Sequence, residues 1–436
     1  MDTKNIQNKT NSVPLQGLGV DRSSIEIMAP AGSWESLSAA IASGADSVYF
    51  GIEKLNMRSK SSSNFTTEDL RKIVSICKEN NVKSYLTVNT ILYDNDLTLM
   101  REIIDVAKDS EVSAIIAADV AAMMYASGIG VEVHLSVQTN ITNVESLKFY
   151  SQFADVVVLA RELNLEQVKV IYDAIENEQI KGKNGQLIRI EMFCHGALCM
   201  AVSGKCYLSL HEKNLSANRG ACNQICRREY IVKDKDSEIE LEIDNEYIMS
   251  PKDLKTIGFV DEMLKAGVRV FKIEGRARGA EYVKAVVSCY KEAIESCLEG
   301  TFTDEKTEDW NNRLSKVFNR GFWNGYYLGQ RLGEWSSTYG SAASHKKIYV
   351  GKVTNYFNKL GVAEFLLEAQ SLSVGDEILI TGDTTGAYED TVKEIRVKLE
   401  PVDKVDKGTF FSIKTTELIR RNDKLFKIVP QTPKGN

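Results

Sequence analysis

ASGADSVYFGIE, residues 42–53, and KAGVRVFKIEG, residues 265–275, are built on one plan. In each, a helical stretch runs into a glycine, Gly44 or Gly267, and a short run rich in Val, Ile, Tyr and Phe follows at once. A glycine just past a helix supplies the left-handed turn that stops it. A brief β-branched and aromatic run directly after such a stop is a strand. Two such helix–glycine–strand units, far apart in the chain, predict a fold assembled from repeated α/β units.

Working outward, apolar runs of strand length occur at 25–28, 47–50, 83–88, 114–118, 132–137, 156–159, 188–193 and 268–273. All are short and rich in Val and Ile, as strands buried on both faces are. Helical patterns fill the gaps, with Thr67, Asn95, Asn143 and Asn164 as expected N-caps. A further helix at 280–298 carries Val283, Val286, Val287, Tyr290, Ala293, Ile294 and Cys297 on one stripe. Eight β/α units predict a TIM-like (β/α)8 barrel over 24–340. An open doubly wound sheet is the alternative. No GxGxxG follows the first strand and no GxxxxGK[ST] occurs, so dinucleotide and P-loop sites lack support. Past His345 the period changes to strand alternation, predicting a small antiparallel β-barrel domain over 346–432. Residues 1–23 read as a disordered lead-in, and 232–247 as a solvated hairpin.

With 43% hydrophobic and 26% charged residues, the 436-residue chain can build and cover such a core. No run approaches the ~18 apolar residues of a membrane span, and the polar N-terminal stretch lacks a secretion-type apolar segment. The expected location is cytoplasmic, with no membrane partner. In a reducing compartment eight cysteines point to metal binding or redox chemistry rather than disulfides. The net charge of −6 argues against a chain coated in positive charge, yet a local basic patch is enough to engage phosphates.

Five of the eight cysteines fall within EMFCHGALCMAVSGKCYLSLHEKNLSANRGACNQICRREY, residues 191–230. Cys77, Cys289 and Cys297 lie on helical apolar faces and read as core, and Cys194 as a strand residue. Cys199, Cys206, Cys222 and Cys226 remain, spaced x6, x15 and x3. Four soft thiolates suit zinc or an iron–sulfur cluster. Structural zinc prefers tighter paired knuckles, so the wide spacing favours a cluster without removing zinc, or small unligated thiols, from contention.

Side chains at the carboxyl ends of barrel strands line the active face. Here they include Asn89, Asp119, Gln138, Arg161, His195, Glu274 and Arg276. Arg161 and Arg276 suit a dicarboxylate or phosphate held by bidentate contacts. His195 reads as a general acid/base, a proton donor near the cluster, or a core histidine. Asn89 and Asp119 serve equally well as helix caps. Lys213, Arg219, Arg227 and Arg228 form a basic stretch without an acid. With Tyr207, Tyr230, Phe322, Trp323, Tyr326 and Tyr327 nearby, it could bind RNA. No Ser–His–Asp context or HExxH is present to supply protease chemistry.

IMAPAG (27–32), HLSVQTN (134–140), LARELNL (159–165), EMFCHGALCMAVSGKC (191–206), GACNQICRREY (220–230) and FKIEGRARG (271–279) resemble, in order, blocks of the collagenase-like peptidase family U32. The resemblance covers residue 25 to about 335 and extends into the C-terminal β-domain. It implies that Cys199, Cys206, Cys222 and Cys226 carry an iron–sulfur cluster, of the 4Fe-4S type. It also implies a place among members that make 5-hydroxyuridine at the tRNA wobble position with prephenate as cosubstrate. Other members act on a ribosomal RNA cytidine or in anaerobic ubiquinone synthesis. On this resemblance Arg161, Arg276, Gln138 and Asn89 are expected to hold the cosubstrate, and His195, Glu274 and Asp119 to handle protons. Lys213, Arg219, Arg227 and Arg228 are expected to meet the tRNA anticodon arm. A collagenase-like protease and a non-catalytic RNA-binding protein with a structural metal are the competing readings. Nothing in the sequence sets an oligomeric state.

Overall fold

The protein is seen as a computed structural model that describes residues 20–431 apart from 53–54, 58, 60–64, 232–246, 331–332 and 339. The expected lead-in (up to residue 19) and hairpin (up to 246) therefore lie outside the described residues. Strands β1 (Glu26–Pro30), β2 (Ser47–Phe50), β3 (Lys83–Val88), β4 (Ala114–Ala117), β5 (Val133–Leu135), β6 (Val156–Val158) and β7 (Arg189–Gly196) pair in order, each parallel to the next. A short β8 (Asp253–Lys255) lies antiparallel to the end of β7, and β9 (Val268–Ile273) pairs in parallel with both β7 and β1. That last strand closes the ring. The barrel is TIM-like, and the open sheet is excluded. A two-residue β10 (Phe322–Trp323) extends the sheet from β8.

Both strand faces are buried, which is why these segments are apolar runs rather than alternating ones. One set of side chains, among them Met28, Tyr49, Tyr85, Ile116 and Val270, packs as a separate cluster. The larger set meets the surrounding helices. These are α1 (Trp34–Ala42), α2 (Thr67–Glu79), α3 (Leu97–Asp109), α4 (Val120–Gly128), α5 (Val144–Ser151), α6 (Leu165–Glu178), α7 (Leu208–Lys213), α8 (Val260–Lys265), α9 (Ala280–Glu299) and α10 (Asp304–Lys316). Asn143 and Asn164 cap α5 and α6 through their side chains. Thr66, not Thr67, caps α2, because only from Thr66 does Asp69 fall three residues on and complete a capping box. Asn95 sits inside a single 3₁₀ turn, Asp94–Asp96, that leads into α3. Gly44 and Gly267 have φ of 82° and 94°, the left-handed turns that the opening motif requires.

Glu26 sits on β1 among cations and is 2% exposed. It accepts from Tyr85 Oη at 2.6 Å, Lys83 Nζ at 2.9 Å and Arg189 Nη2 at 3.1 Å. Burial would raise its pKa, but Arg189, Lys83 and His134 outweigh that and hold it at about 2, against an ordinary 4.5. A depressed carboxyl stabilises fully above the unfolded pKa and loses that stabilisation as pH falls through the folded one. Glu26→Gln is therefore expected to cost about 3 kcal/mol near neutral pH. Denaturant unfolding should show the difference from wild type shrinking between pH 4.5 and 2.

Beyond residue 344 lie β11 (His345–Phe357), β12 (Val362–Leu367), β13 (Ser371–Ser373), β14 (Glu377–Gly382), β15 (Gly386–Thr391), β16 (Ile395–Val397), β17 (Glu400–Val402), β18 (Lys404–Asp406), β19 (Phe410–Lys414) and β20 (Lys424–Pro430). Eight of them form an antiparallel sheet in the order β15-β14-β20-β11-β12-β19-β16-β17, and β13 and β18 form a two-stranded ribbon. The expected antiparallel β-domain is present as this sheet, and among the described residues no pairing joins its end strands β15 and β17. It has its own core around Phe365, Phe411 and Leu425. Leu379 and Ala387 of the sheet pack on Ala39 and Ala280 of the barrel helices. Among the described residues no helix is long and apolar enough to cross a membrane.

A cationic cavity walled by the cysteine loop

A cavity of about 510 Å³ opens beyond the carboxyl ends of the strands. Strand side chains Tyr49, Thr87, Ile116 and Lys272 line it, and the 197–227 loop contributes another wall. Among the described residues six cationic side chains line it, Arg161, Arg227, Lys272, Arg276, Arg278 and Arg320, against one carboxylate, Glu274. Low-dielectric walls with one predominant sign of charge concentrate anions.

Arg276 follows β9, is 6% exposed, and donates from Nη1 to Asn56 Oδ1 and Thr87 Oγ1, both at 3.1 Å. Its place depends on two glycines. A Cβ on Gly32 would lie 1.7 Å from the Arg276 carbonyl oxygen, and one on Gly51 would lie 2.5 Å from Nη1. The first clash is with backbone and cannot be relieved by a rotamer change. Gly32→Ala is expected to lower stability by about 1–3 kcal/mol and to weaken anion binding, read by thermal unfolding and by titration with inorganic phosphate.

Arg161 stacks on the Phe193 ring with its guanidinium carbon 3.8 Å from the centroid, and Nη1 donates to the Ala197 carbonyl at 3.1 Å. Its buried Nε has no hydrogen-bond partner among the described residues, and neither does Gln138 Nε2. Buried donors are rarely left unmet in a finished site. Two on one cavity wall suit a ligand rich in acceptors. Asn89 holds the rim by accepting from Met57 N at 3.2 Å. Tyr49 donates to the Ile273 carbonyl at 2.9 Å and lies 3.4 Å from Glu274 Oε2. Arg278 stacks 3.5 Å above the Phe318 ring, and burial, followed by the charge of Arg320, lowers its pKa.

The four cysteines all line this cavity. Cys199 is exposed, and Cys206, Cys222 and Cys226 are half-buried. Burial pushes Cys226 up to about 11; Arg227 opposes this, and negative charge on Cys199, Cys222 and Cys206 adds to it. Cys206 is raised by burial, with Cys199 and Cys222 adding to it. The thiols are thus close enough to sense one another. Among the described residues, however, no three His, Cys, Asp or Glu side chains converge as they would around one ion.

Other expected site residues do structural work. His195 is 1% exposed and enclosed by Tyr282, Tyr290 and Phe322, with ring centroids 5.5–5.9 Å away. Burial, followed by Lys255 and Arg278, lowers its pKa to about 3, so it is neutral, and it does not line the cavity. The reason is a register shift between Phe193 and His195 against β9, which changes the side-chain parity at the end of β7. Asp119 caps α4 by accepting from Ala121 N at 2.9 Å, and it fixes the neighbouring loop through Leu92 N at 3.0 Å.

Among the four basic residues, Arg227 is a pin. It donates to Ser250 Oγ at 3.0 Å, to the Pro251 carbonyl at 2.6 Å and to the Leu198 carbonyl. Arg219 pairs with Asp96 at 2.6 Å and stacks 3.9 Å above Tyr93. Arg228 and Lys213 pair with Glu212 at 2.7 and 3.3 Å and remain half-exposed. Of the aromatics, Trp323 and Tyr327 are core, whereas Tyr207, next to Cys206, is 72% exposed.

The protein is thus a TIM-like α/β barrel whose mouth is cationic and walled by the cysteine loop. Residues 32–337 match the model for Peptidase family U32, and the chain belongs to that family. It is 65% identical over 402 residues to a collagenase of Porphyromonas gingivalis, covering 92% of this chain and 97% of that protein. It is 31% identical over 378 residues to tRNA hydroxylation protein P1 of Bacillus subtilis, covering 85% and 86%. To the 23S rRNA 5-hydroxycytidine synthase of Escherichia coli it is 32% identical over 317 residues, covering 71% of this chain and 46% of that protein.

Proposed function

We propose that this chain hydroxylates the wobble uridine of tRNA to 5-hydroxyuridine, with an iron–sulfur cluster on Cys199, Cys206, Cys222 and Cys226. The observation that carries the reading is the joining, in one cavity, of four thiols and, among the described residues, six cations and one carboxylate. A 4Fe-4S cluster gives each thiolate its own iron. It therefore asks for four thiolates around one body, and Cys199, Cys206, Cys222 and Cys226 all line this one cavity. When bound, the cluster would supply one-electron or Lewis-acid chemistry. Arg276 and Arg161 hold a carboxylate-bearing cosubstrate such as prephenate, with Gln138 and Asn89 beside them. Lys272 and Glu274 are placed to hold or move a proton. Tyr207 offers a face for an unpaired base, and Lys213 and Arg228 offer charge for the phosphates of the anticodon arm.

The peptidase reading is favoured by one observation, the 65% identity to a protein named collagenase. Against it, the histidine beside the cysteine loop is sealed away and neutral, and histidine is absent from the cavity wall. One preparation separates the two. Anaerobically purified protein, undermodified tRNA and prephenate should yield 5-hydroxyuridine by nucleoside mass spectrometry. In a parallel tube denatured collagen should stay intact. Collagen cleavage without any hydroxylated nucleoside would favour the peptidase.

A further inference from the structure

The barrel interior carries a line of ionisable groups that apolar packing does not need. Lys272 lines the cavity, is 5% exposed, and donates from Nζ to Glu191 Oε1 at 2.6 Å. The rings of Tyr49 and Phe193 flank the ammonium at 4.8 and 5.6 Å. Glu191 is fully buried, and its second oxygen, Oε2, stands 3.7 Å from His134 Nδ1. Neither of these atoms has a hydrogen-bond partner among the described residues. His134 is also fully buried, and its Nε2 lies 3.2 Å from Glu132 Oε1. Glu132 just precedes β5, and its side chain is 40% exposed at the amino-terminal end of the strands, opposite the cavity. Buried ionisable groups cost more than a hydrophobic residue of the same size. Here they form a chain from solvent to the reactive face.

We propose that Lys272, Glu191, His134 and Glu132 form a proton path through the barrel, with Lys272 Nζ giving and taking the proton at the cavity floor. In the outward direction the ammonium passes a proton to Glu191 Oε1, and the neutral carboxyl turns about its Cγ–Cδ bond to hand that same proton to His134 Nδ1. His134 then releases its Nε2 proton to Glu132, which exchanges with water. Each group returns to its starting charge except Lys272, now neutral, and no electrons move. The inward direction is the reverse. The 3.7 Å step closes to hydrogen-bond reach with a sub-ångström shift of ring or carboxylate. The path rests on the cavity being the seat of reaction and is independent of whether RNA is the substrate.

The groups facing His134 are Glu132 on its own strand side, Glu191 on β7, Glu26 on β1, Tyr85 on β3 with its ring 4.4 Å away, and Asp155 before β6. Lys83 and Arg189 neutralise Glu26 beyond them. Burial works against the imidazolium, but the bond to Glu132 and the nearby carboxylate of Glu191 outweigh it and raise His134 above 6.5.

The test is the carbon-13 resonance of histidine Cε1 in the full-length protein, followed against pH. With four histidines in the chain, His134→Asn assigns the signal. Wild type should show one averaged line with a midpoint above the ordinary histidine value. Lys272→Met leaves Glu191 uncompensated and should raise the midpoint by about one unit, while Lys272→Arg should leave it in place. Glu132→Gln, at a half-exposed site that does not endanger folding, should lower the midpoint. It should also split the line into separate protonated and neutral signals, because the buried ring loses its exchange partner. A midpoint indifferent to Lys272→Met, or a single averaged line in Glu132→Gln, overturns the path. A purely structural ion pair would leave the exchange regime unchanged.

Discussion

If the proposed cluster and hydroxylation hold, Cys206→Ser is expected to strip the anaerobically purified protein of iron and inorganic sulfide and to abolish formation of 5-hydroxyuridine. Cys206 is half-buried on the cavity wall, and its thiol senses Cys199 and Cys222. A hydroxyl is a harder and far less acidic ligand than a thiol, so it does not replace a thiolate on iron. The same loss is expected for Cys199→Ser, Cys222→Ser and Cys226→Ser. Cys289→Ser, in a helix remote from the loop and fully buried, is expected to keep its iron. Metal analysis and the visible thiolate-to-iron absorbance read the outcome. A colourless wild-type protein with one stoichiometric zinc would reject the cluster.

Arg276→Met should weaken binding of the carboxylate cosubstrate on the order of 10²–10³-fold, the usual cost of truncating one partner of a desolvated charge pair. Asn56 Oδ1 and Thr87 Oγ1 would each lose the donor seen at 3.1 Å. A stability loss of about 1–3 kcal/mol should accompany the binding defect. Arg276→Lys restores the charge but not the planar guanidinium suited to bidentate contact with a carboxylate, and it should recover stability better than affinity. Isothermal titration with prephenate, alongside thermal unfolding, separates the two effects. Equal losses in Met and Lys variants would mean that charge is not what Arg276 supplies.

The eight barrel strands were readable because burial on both faces leaves uninterrupted Val/Ile runs, and the glycine stops at 44 and 267 mark where helices yield to strands. The three-residue β8 was not readable. DLK carries no apolar period, and its strand character comes from pairing with the end of β7. At the site, the arginines were legible from their position at strand ends. Lys272 and Arg278 read as local basic charge and were not assigned to the mouth, although the alternation Lys272, Glu274, Arg276, Arg278 through FKIEGRARG contains both, and all four line the cavity. A period-two reading carried past the end of the strand would have found them. His195 failed in the opposite direction. The same alternation, counted from Phe193, places it in the cavity, and the register shift at that point turns it away. A bulge of that kind arises from tertiary pairing and leaves no mark in a local pattern. Arg227 looked like part of a solvated basic face because local charge does not show which guanidinium is consumed by distant carbonyls.

The account stands most directly on tRNA from cells in which this gene is deleted and then restored. Loss of 5-hydroxyuridine-derived nucleosides on deletion, recovery with the wild-type gene and no recovery with Cys206→Ser is the predicted result. Unchanged levels of those nucleosides in the deletion strain, with no second family member to supply them, would contradict it.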